Sequence, residues 1–284
     1  MNKETKKYLD LEKVLKNKAP GASRFIPRFI VRRLERLICQ DRINEIWDKH
    51  QGKEGAELCE AIMSELNVSL EVINKENLPD PSDRKVLFVS NHPLGGFDGV
   101  AIIDMLHRHY GVEPLFIVND LLMFLTPLQR VFVPINKHGA QSRASVEAID
   151  EAFRSDRPVI IFPAGLVSRR GKNGVVADLK WQKSFVQKAK RFGRDIIPLY
   201  FDGENSPFFY KFAKFRKRIG LKFNVEMIYL PREMFRCENK TFSIIVGDRI
   251  PHSTLASKNL EDAALDIRKT VYALPKQAQD WNKE

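Results

Sequence analysis

The chain has 284 residues, of which 43% are hydrophobic and 29% are charged. This length and composition can supply a substantial core, which argues against intrinsic disorder and favours one large α/β domain with a smaller appendage. The formal net charge of +11 implies an anionic partner, which leaves nucleic acid, an acidic lipid surface and phosphorylated or carrier-bound substrates open.

The first part of the chain is predicted to be helical and polar. Apolar residues recur with helical period in 25–38 and 56–66, and no strand signal occurs before about residue 75. An apolar stripe in 24–38 lies beside arginines at every fourth position, namely Arg24, Arg28, Arg32 and Arg36. This pattern is typical of a basic amphipathic helix. We therefore predict an N-terminal helical segment over 1–78, serving as a membrane-surface element, a lid or a packing layer.

The turn-rich stretch 79–85 begins a second part, in which short apolar runs alternate with amphipathic stretches. The runs predicted to be strands are 86–90, 114–118, 131–135, 158–162, 196–201, 225–230 and 242–247. Helical periodicity is present in 99–109, 141–154, 180–192 and 258–274. This alternation predicts an α/β domain over 79–284, with a mixed, largely parallel sheet covered by helices.

The stretch "SNHPLGGFDG" (90–99) places a histidine and an aspartate directly after a predicted buried strand. Loops at the carboxyl ends of such strands commonly carry functional groups. Gly95 and Gly96 allow a sharp turn, so the Asp98 carboxylate can face the His92 ring. A carboxylate bound to one ring nitrogen fixes the tautomer and makes the other nitrogen a better general base. From spacing alone, a simple helix cap at Asp98 is equally open.

A second stretch, "IIFPAGLVSRRGK" (160–172), is again a predicted buried strand followed by a loop. Together the two loops resemble the glycerolipid acyltransferase superfamily, typified by lysophosphatidic acid acyltransferase. The residues that match its NHxxxxD and FPEGTRS blocks are Asn91, His92 and Asp98 in the first, and Phe162, Pro163, Gly165 and Ser168 in the second. Weaker counterparts lie at 131–137 and 196–206, so the resemblance covers about residues 80–250.

The resemblance implies direct acyl transfer. His92, oriented by Asp98, would take the proton from an acceptor hydroxyl, which attacks a thioester of acyl carrier protein or coenzyme A. The donor is then a co-substrate, and neither a metal nor a cofactor is expected. The resemblance also implies substrate contacts from Asn91, Lys137, Phe162, Pro163, Gly165, Ser168 and Arg169. For Lys137 and Arg169 a solvated charge is the open alternative.

Two departures from the family pattern bear on the acceptor. Five residues separate His92 from Asp98 where the family usually has four. Ala164 and Val167 stand where the family has a glutamate and an arginine thought to hold a glycerol phosphate. The chain instead resembles a hemolysin-like branch that includes O-acyltransferases of ornithine-type and glycine-type lipids. The implied acceptor is a 3-hydroxyacyl amino-acid lipid, and a lysophospholipid acyltransferase is the alternative.

The stretch "FFYKFAKFRKRIGLKF" (208–223) interleaves aromatic residues with lysines and arginines. With 24–38, it predicts contact with an anionic membrane surface, although packing against the domain would use the same apolar residues. A nucleic-acid-binding protein is the rival from another class. Because no nucleic-acid module is recognised and the two strand-to-loop motifs would stay unexplained, nucleic acid is not the expected partner.

Cysteine usage and hydropathy bear on location. Cys39, Cys59 and Cys237 show neither CxxC nor zinc-ligand spacing, which indicates a reducing compartment. No uncharged apolar run reaches the roughly 18 to 20 residues that span a bilayer, and the N-terminus lacks the apolar core of a signal peptide. We therefore expect a cytoplasmic protein, peripheral on the inner face of the cell membrane.

Overall fold

The computed structural model describes residues 9–18, 21, 26–135, 143–221 and 224–281. Within these ranges the helices are α1 (Leu11–Lys18), α2 (Arg28–Leu37), α3 (Gln40–Lys49), α4 (Gly55–Glu65), α5 (Phe97–Tyr110), α6 (Arg143–Arg154), α7 (Ser184–Phe192), α8 (Pro207–Arg218), α9 (Leu230–Phe235) and α10 (Leu260–Trp281). The strands are β1 (Ser69–Ile73), β2 (Val86–Ser90), β3 (Leu115–Asn119), β4 (Phe132–Ile135), β5 (Val159–Ile161), β6 (Arg169–Arg170), β7 (Val176–Ala177), β8 (Asp195–Asp202) and β9 (Thr241–Val246).

Seven strands form one sheet in the order β1-β9-β8-β2-β5-β3-β4. From β8 to β4 all neighbours are parallel, whereas β9 is antiparallel to β8 and parallel to β1. Strands β6 and β7 form a separate antiparallel hairpin. The predicted α/β class with a mixed, largely parallel sheet is confirmed.

Alternate residues of the central strands face two hydrophobic cores. In β2, Val86 and Phe88 belong to the core that includes α3, α4 and α5, and Leu87 and Val89 belong to the core that includes α6, α7 and α10. All four side chains are fully buried, as expected for a parallel strand with helices on both faces. The loop that follows β2 is therefore held by a strand packed on both sides.

The predicted strand at 225–230 is wrong. This segment is a 3₁₀ turn over Val225–Tyr229, followed directly by α9. Met227, Tyr229 and Leu230 pack against a small core outside the sheet, and Glu226 is buried between two arginines. Pro231 lies in the first turn of α9, where its missing N–H is tolerated. The apolar residues of this segment pack against α8 and Val167 instead of lying in a paired strand.

The expectation that no strand precedes residue 75 is also wrong. Strand β1 pairs in parallel with β9 at the edge of the main sheet. Its side chains are only exposed or half-buried, so its short apolar pattern is weak in the sequence. The division of the chain into 1–78 and 79–284 stays a prediction.

Both predicted basic amphipathic segments are helical over most of their described residues. The first is α2, and Arg24 lies outside the described residues. The second is α8, which ends at Arg218, while 222–223 lie outside the described residues. In the described part of the chain, no helix is both long and apolar enough to cross a membrane.

Candidate active site

The two sequence motifs meet because β2 and β5 are parallel neighbours. Val89 of β2 pairs with Ile161 of β5, so both strands end at the same edge of the sheet. His92 and Phe162, which follow these ends, stack with ring centroids 4.1 Å apart and planes 21° apart. Such a contact is worth about 0.5–1.5 kcal/mol and limits rotation of the imidazole.

The histidine and the aspartate form a hydrogen-bonded pair. His92 Nδ1 lies 2.9 Å from Asp98 Oδ2, and the side chains are 14% and 0% exposed. Asp98 also accepts backbone N–H bonds from Leu94, Gly95 and Gly99. Nε2 of His92 has no hydrogen-bond partner among the residues that the structure describes. The pair can therefore hold one tautomer and leave Nε2 for a substrate.

Electrostatics keep Asp98 ionised. Burial alone would raise the pKa of this carboxyl, since a charge is poorly solvated in the core. The charge of His92, its hydrogen bond and the N–H groups of Leu94 and Gly99 together outweigh burial and lower the pKa of Asp98 below its ordinary value. Asp98 is thus an acceptor at neutral pH and orients the imidazole without taking its proton.

The additional residue between His92 and Asp98 is accommodated by the turn before α5. Gly95 has φ +77°, a conformation that other residues rarely adopt. A Cβ atom on Gly95 would lie 2.7 Å from Leu230 Cδ2, so space also requires glycine. Gly96 has φ −173°, which any residue can adopt. Of the two glycines predicted to absorb the insertion, only Gly95 needs to be glycine.

The second motif forms a tight loop under His92. Gly165 has φ +63°, and its N–H donates to the Phe162 carbonyl at 2.9 Å. The Pro163 carbonyl accepts the Gln182 N–H at 3.0 Å, and the Ser168 N–H donates to the His92 carbonyl at 2.7 Å. The loop therefore positions His92. Because the Gly165 N–H is used within the loop, it is not a free donor for a developing oxyanion.

Asn91 joins the site to the sheet. Its Nδ2 donates to the Phe201 carbonyl at 2.9 Å, and its Oδ1 accepts the Phe201 N–H at 2.7 Å. Asn91 is buried, and both ends of its amide are satisfied by β8. This role is structural, and the predicted contact of Asn91 with substrate stays a prediction.

The predicted basic residues have different surroundings. Arg169 pairs with the buried Glu226 at 2.7 Å and lies 5.5 Å from the Phe209 ring centroid. Burial, which the charge of Glu226 opposes, lowers the pKa of Arg169. Arg170 pairs with Glu204 at 2.9 Å and is more exposed. Lys137 lies outside the described residues. The predicted substrate contacts of Arg169 and Lys137 stay predictions.

Sequence reasoning missed Asp178, which lies after the β6-β7 hairpin. Its Oδ1 accepts the His92 backbone N–H at 3.1 Å and the Ser168 hydroxyl at 2.5 Å. Its Oδ2 accepts Trp181 Nε1–H at 2.9 Å. Asp178 belongs to neither motif and follows no strand of the main sheet, so no spacing in the sequence pointed to it.

Known proteins resemble this chain over almost its whole length. A family model described as acyltransferase matches residues 13–280. The lyso-glycine lipid O-acyltransferase of Bacteroides thetaiotaomicron is 43% identical over 267 residues, covering 94% of this chain and 97% of that protein. The protein of the same name from Phocaeicola vulgatus is also 43% identical, with coverages of 94% and 95%.

A solved structure, the 1-acyl-sn-glycerophosphate (LPA) acyltransferase PlsC from Thermotoga maritima, has 15% identity and a TM-score of 0.48 over 80% of this chain and 81% of that one. The family match and the two relatives show the family of this chain. A histidine and a buried carboxylate held at the carboxyl edge of the sheet agree with it. The chain belongs to the acyltransferase family and is an enzyme of acyl transfer.

Proposed function

We propose that the enzyme transfers a fatty acyl group from an acyl thioester to the hydroxyl of a lyso-glycine lipid, the 3-hydroxyacyl amide of glycine. The observation that carries this proposal is the 43% identity to two relatives with that name over 94% of the chain. The hydrogen-bonded pair of His92 and Asp98 supports the chemistry, because acyl transfer to a hydroxyl needs a general base.

In the proposed step, Nε2 of His92 removes the proton of the acceptor hydroxyl as its oxygen attacks the thioester carbonyl. A C–O bond forms, and the tetrahedral intermediate collapses with cleavage of the C–S bond. The leaving thiolate takes the proton back from His92. Donor and acceptor contain every atom of the ester and the thiol, so the step needs no co-reactant. We propose that it also uses no metal or other cofactor, with His92 as the general base. A covalent acyl-enzyme is not needed either.

The second loop supports an acceptor without a phosphate. Ala164 and Val167, at the positions where related enzymes carry a glutamate and an arginine, are buried. Val167 packs with Phe209 and Tyr210. Neither position can offer a charged group to a glycerol phosphate. Lysophosphatidic acid is therefore the less favoured acceptor.

A comparison of acceptors tests the proposal. Purified enzyme is given an acyl-carrier-protein or coenzyme A thioester with N-(3-hydroxypalmitoyl)glycine, its ornithine analogue or lysophosphatidic acid, and the products are measured by mass spectrometry. We expect kcat/KM for the glycine acceptor to exceed that for lysophosphatidic acid by about tenfold or more. The reverse order would contradict the proposed acceptor and leave the chemistry intact. No transfer to any acceptor would contradict the whole proposal.

We also propose that the enzyme works on the inner, anionic face of the cell membrane. Helices α2 and α8 both contact the 3₁₀ turn Val225–Tyr229, so the two basic segments are neighbours. Phe215 and Ile219 at the end of α8 are 57% and 59% exposed. Exposed cations on or near α8 accompany them, namely Lys211, Lys214, Lys217 and Arg218. Exposed apolar side chains beside clustered cations suit an anionic lipid surface.

Vesicle binding separates the apolar contribution from the charge contribution. We expect Phe215→Ser/Ile219→Ser to weaken co-sedimentation about tenfold with both phosphatidylcholine and phosphatidylglycerol vesicles, because apolar burial is lost. Lys214→Ser/Lys217→Ser should weaken binding about tenfold with phosphatidylglycerol alone. The matched control is Leu265→Ser, since Leu265 is 48% exposed on α10. Equal binding by all variants would contradict the membrane proposal, and a mobility shift with RNA or DNA at physiological salt would favour nucleic acid.

A further inference from the structure

Asp178 holds both the backbone N–H and the backbone carbonyl of His92. It accepts from the N–H directly, and it contacts the carbonyl through Ser168. The N–H of His92 donates to Asp178 Oδ1 at 3.1 Å. The carbonyl of His92 accepts the N–H of Ser168 at 2.7 Å, and the hydroxyl of Ser168 donates to the same Oδ1 at 2.5 Å. One carboxylate oxygen thus joins the loop after β2 to the loop after β5.

The other polar groups of Asp178 are also hydrogen-bonded. Its Oδ2 accepts Trp181 Nε1–H at 2.9 Å, and Trp181 packs edge-on against Phe185. Its backbone N–H donates to the Tyr272 hydroxyl at 2.7 Å, and its carbonyl accepts from Arg268 Nη2 at 3.0 Å. Tyr272 and Arg268 belong to α10, so Asp178 connects the catalytic loops to the C-terminal helix.

Within the part of the chain that the structure describes, this buried carboxylate is not paired with a cationic side chain. No Lys, Arg or His side chain in the described ranges forms an ion pair with Asp178. Burial raises the pKa of Asp178, and the hydrogen bonds from Ser168, Trp181 and His92 oppose it. A carboxylate buried without a cation is costly, and here three donors, two of them from the catalytic loops, compensate for that cost.

We propose that Asp178 is a positioning residue for acyl transfer, which holds His92 and the Ser168 loop in one fixed arrangement. The inference rests on the proposed role of His92 as the general base. Reaction of a bound hydroxyl with a bound thioester depends steeply on placement, and a displacement of about 1 Å can cost about 100-fold in rate. Loss of Asp178 should therefore lower kcat, whereas the KM values for donor and acceptor should change little.

Two substitutions of similar size separate hydrogen bonding from packing. In Asp178→Asn, Oδ1 still accepts from His92 and Ser168, and only the contact with Trp181 is lost. In Asp178→Leu no acceptor remains. We expect kcat to fall about 100-fold in the leucine variant and to stay within about tenfold of wild type in the asparagine variant. Equal kcat losses in the two variants, or a change in KM instead of kcat, would overturn the inference.

Asp195 is the matched control. It accepts the N–H of His252 at 2.8 Å and lies 2.7 Å from His252 Nδ1, but it is at the amino end of β8, away from the site. Asp195→Leu should lower the unfolding temperature and leave kcat per folded molecule unchanged. If Asp178→Leu does not fold, Ser168→Ala decides, because it removes the hydroxyl that joins the loop after β5 to Oδ1. We expect a loss of about threefold to tenfold in kcat with little change in KM, and an unchanged kcat overturns the inference.

The same assays distinguish this inference from the proposed function. If His92→Ala stays active, the proposed general base is wrong whatever Asp178 does. If His92→Ala is inactive while Asp178→Leu keeps the kcat and KM of the wild type, the general base stands and the positioning role is wrong. Loss of kcat in both variants, with recovery in Asp178→Asn, supports both.

Discussion

His92→Ala is expected to lower kcat by about 10²- to 10⁴-fold, the range that general-base assistance typically supplies. The imidazole is the group whose Nε2 is left for the substrate once Nδ1 is bound to Asp98. Most of the fold should be retained, because Asp98 keeps the backbone N–H bonds of Leu94, Gly95 and Gly99. Single-turnover acyl transfer measures the chemical step, and thermal unfolding measures the folded fraction.

The chain supplies a close control for this substitution. His252 also has its Nδ1 beside a carboxylate, at 2.7 Å from Asp195 Oδ1, but it lies at the opposite edge of the sheet. His252→Ala should change kcat less than about twofold, since no substrate group is expected there. A kcat near that of the wild type in His92→Ala, with a normal folded fraction, would show that another group accepts the proton.

Much of the fold was predictable because the central strands are buried on both faces. Six of the seven predicted strands are found, with ends shifted by at most one residue. Strand β2 reads as an unbroken apolar run, since both of its faces meet helices. The same reasoning failed at 225–230, where side chains pack against α8 and Val167 outside the sheet. Local pattern cannot tell which partner a short apolar segment will meet.

The site was predictable only as far as its motifs extend. His92 and Asp98 lie within one loop, so spacing and glycine content indicated that they could meet. Asp178 reaches His92 across 86 residues of chain, and that contact exists only because β2, β5 and α10 have assembled. A buried polar contact of this kind depends on the tertiary structure. A single aspartate after a hairpin does not indicate in the sequence that it will form such a contact.

Arg194→Met is expected to destabilise the fold by about 3–5 kcal/mol, a large part of the roughly 5–15 kcal/mol that stabilises a typical domain. Arg194 is fully buried directly before β8. Its guanidinium donates to five carbonyls, those of Val86 in β2, of Ala152 and Phe153 at the end of α6, and of Ser155 and Arg157 after it. Methionine fills a similar volume but leaves all five carbonyls without this donor.

The planar shape of the Arg194 guanidinium should contribute more to the stability of the fold than its charge alone. Burial lowers the pKa of Arg194 to about 10, so it is still protonated at neutral pH. Arg194→Lys keeps a cation but cannot reach all five carbonyls, and we expect it to recover about half of the lost stability. Urea unfolding gives these values. Arg249→Met is the control, since the half-exposed Arg249 pairs with Asp195 and Asp83, and the loss of each pair should cost less than about 1 kcal/mol. An Arg194→Met variant within about 1 kcal/mol of wild type would contradict this prediction and would mean that water replaces the guanidinium. A loss of about 3–5 kcal/mol would mean that the capped end of α6 holds β2, and with it His92, at the edge of the sheet where we propose acyl transfer.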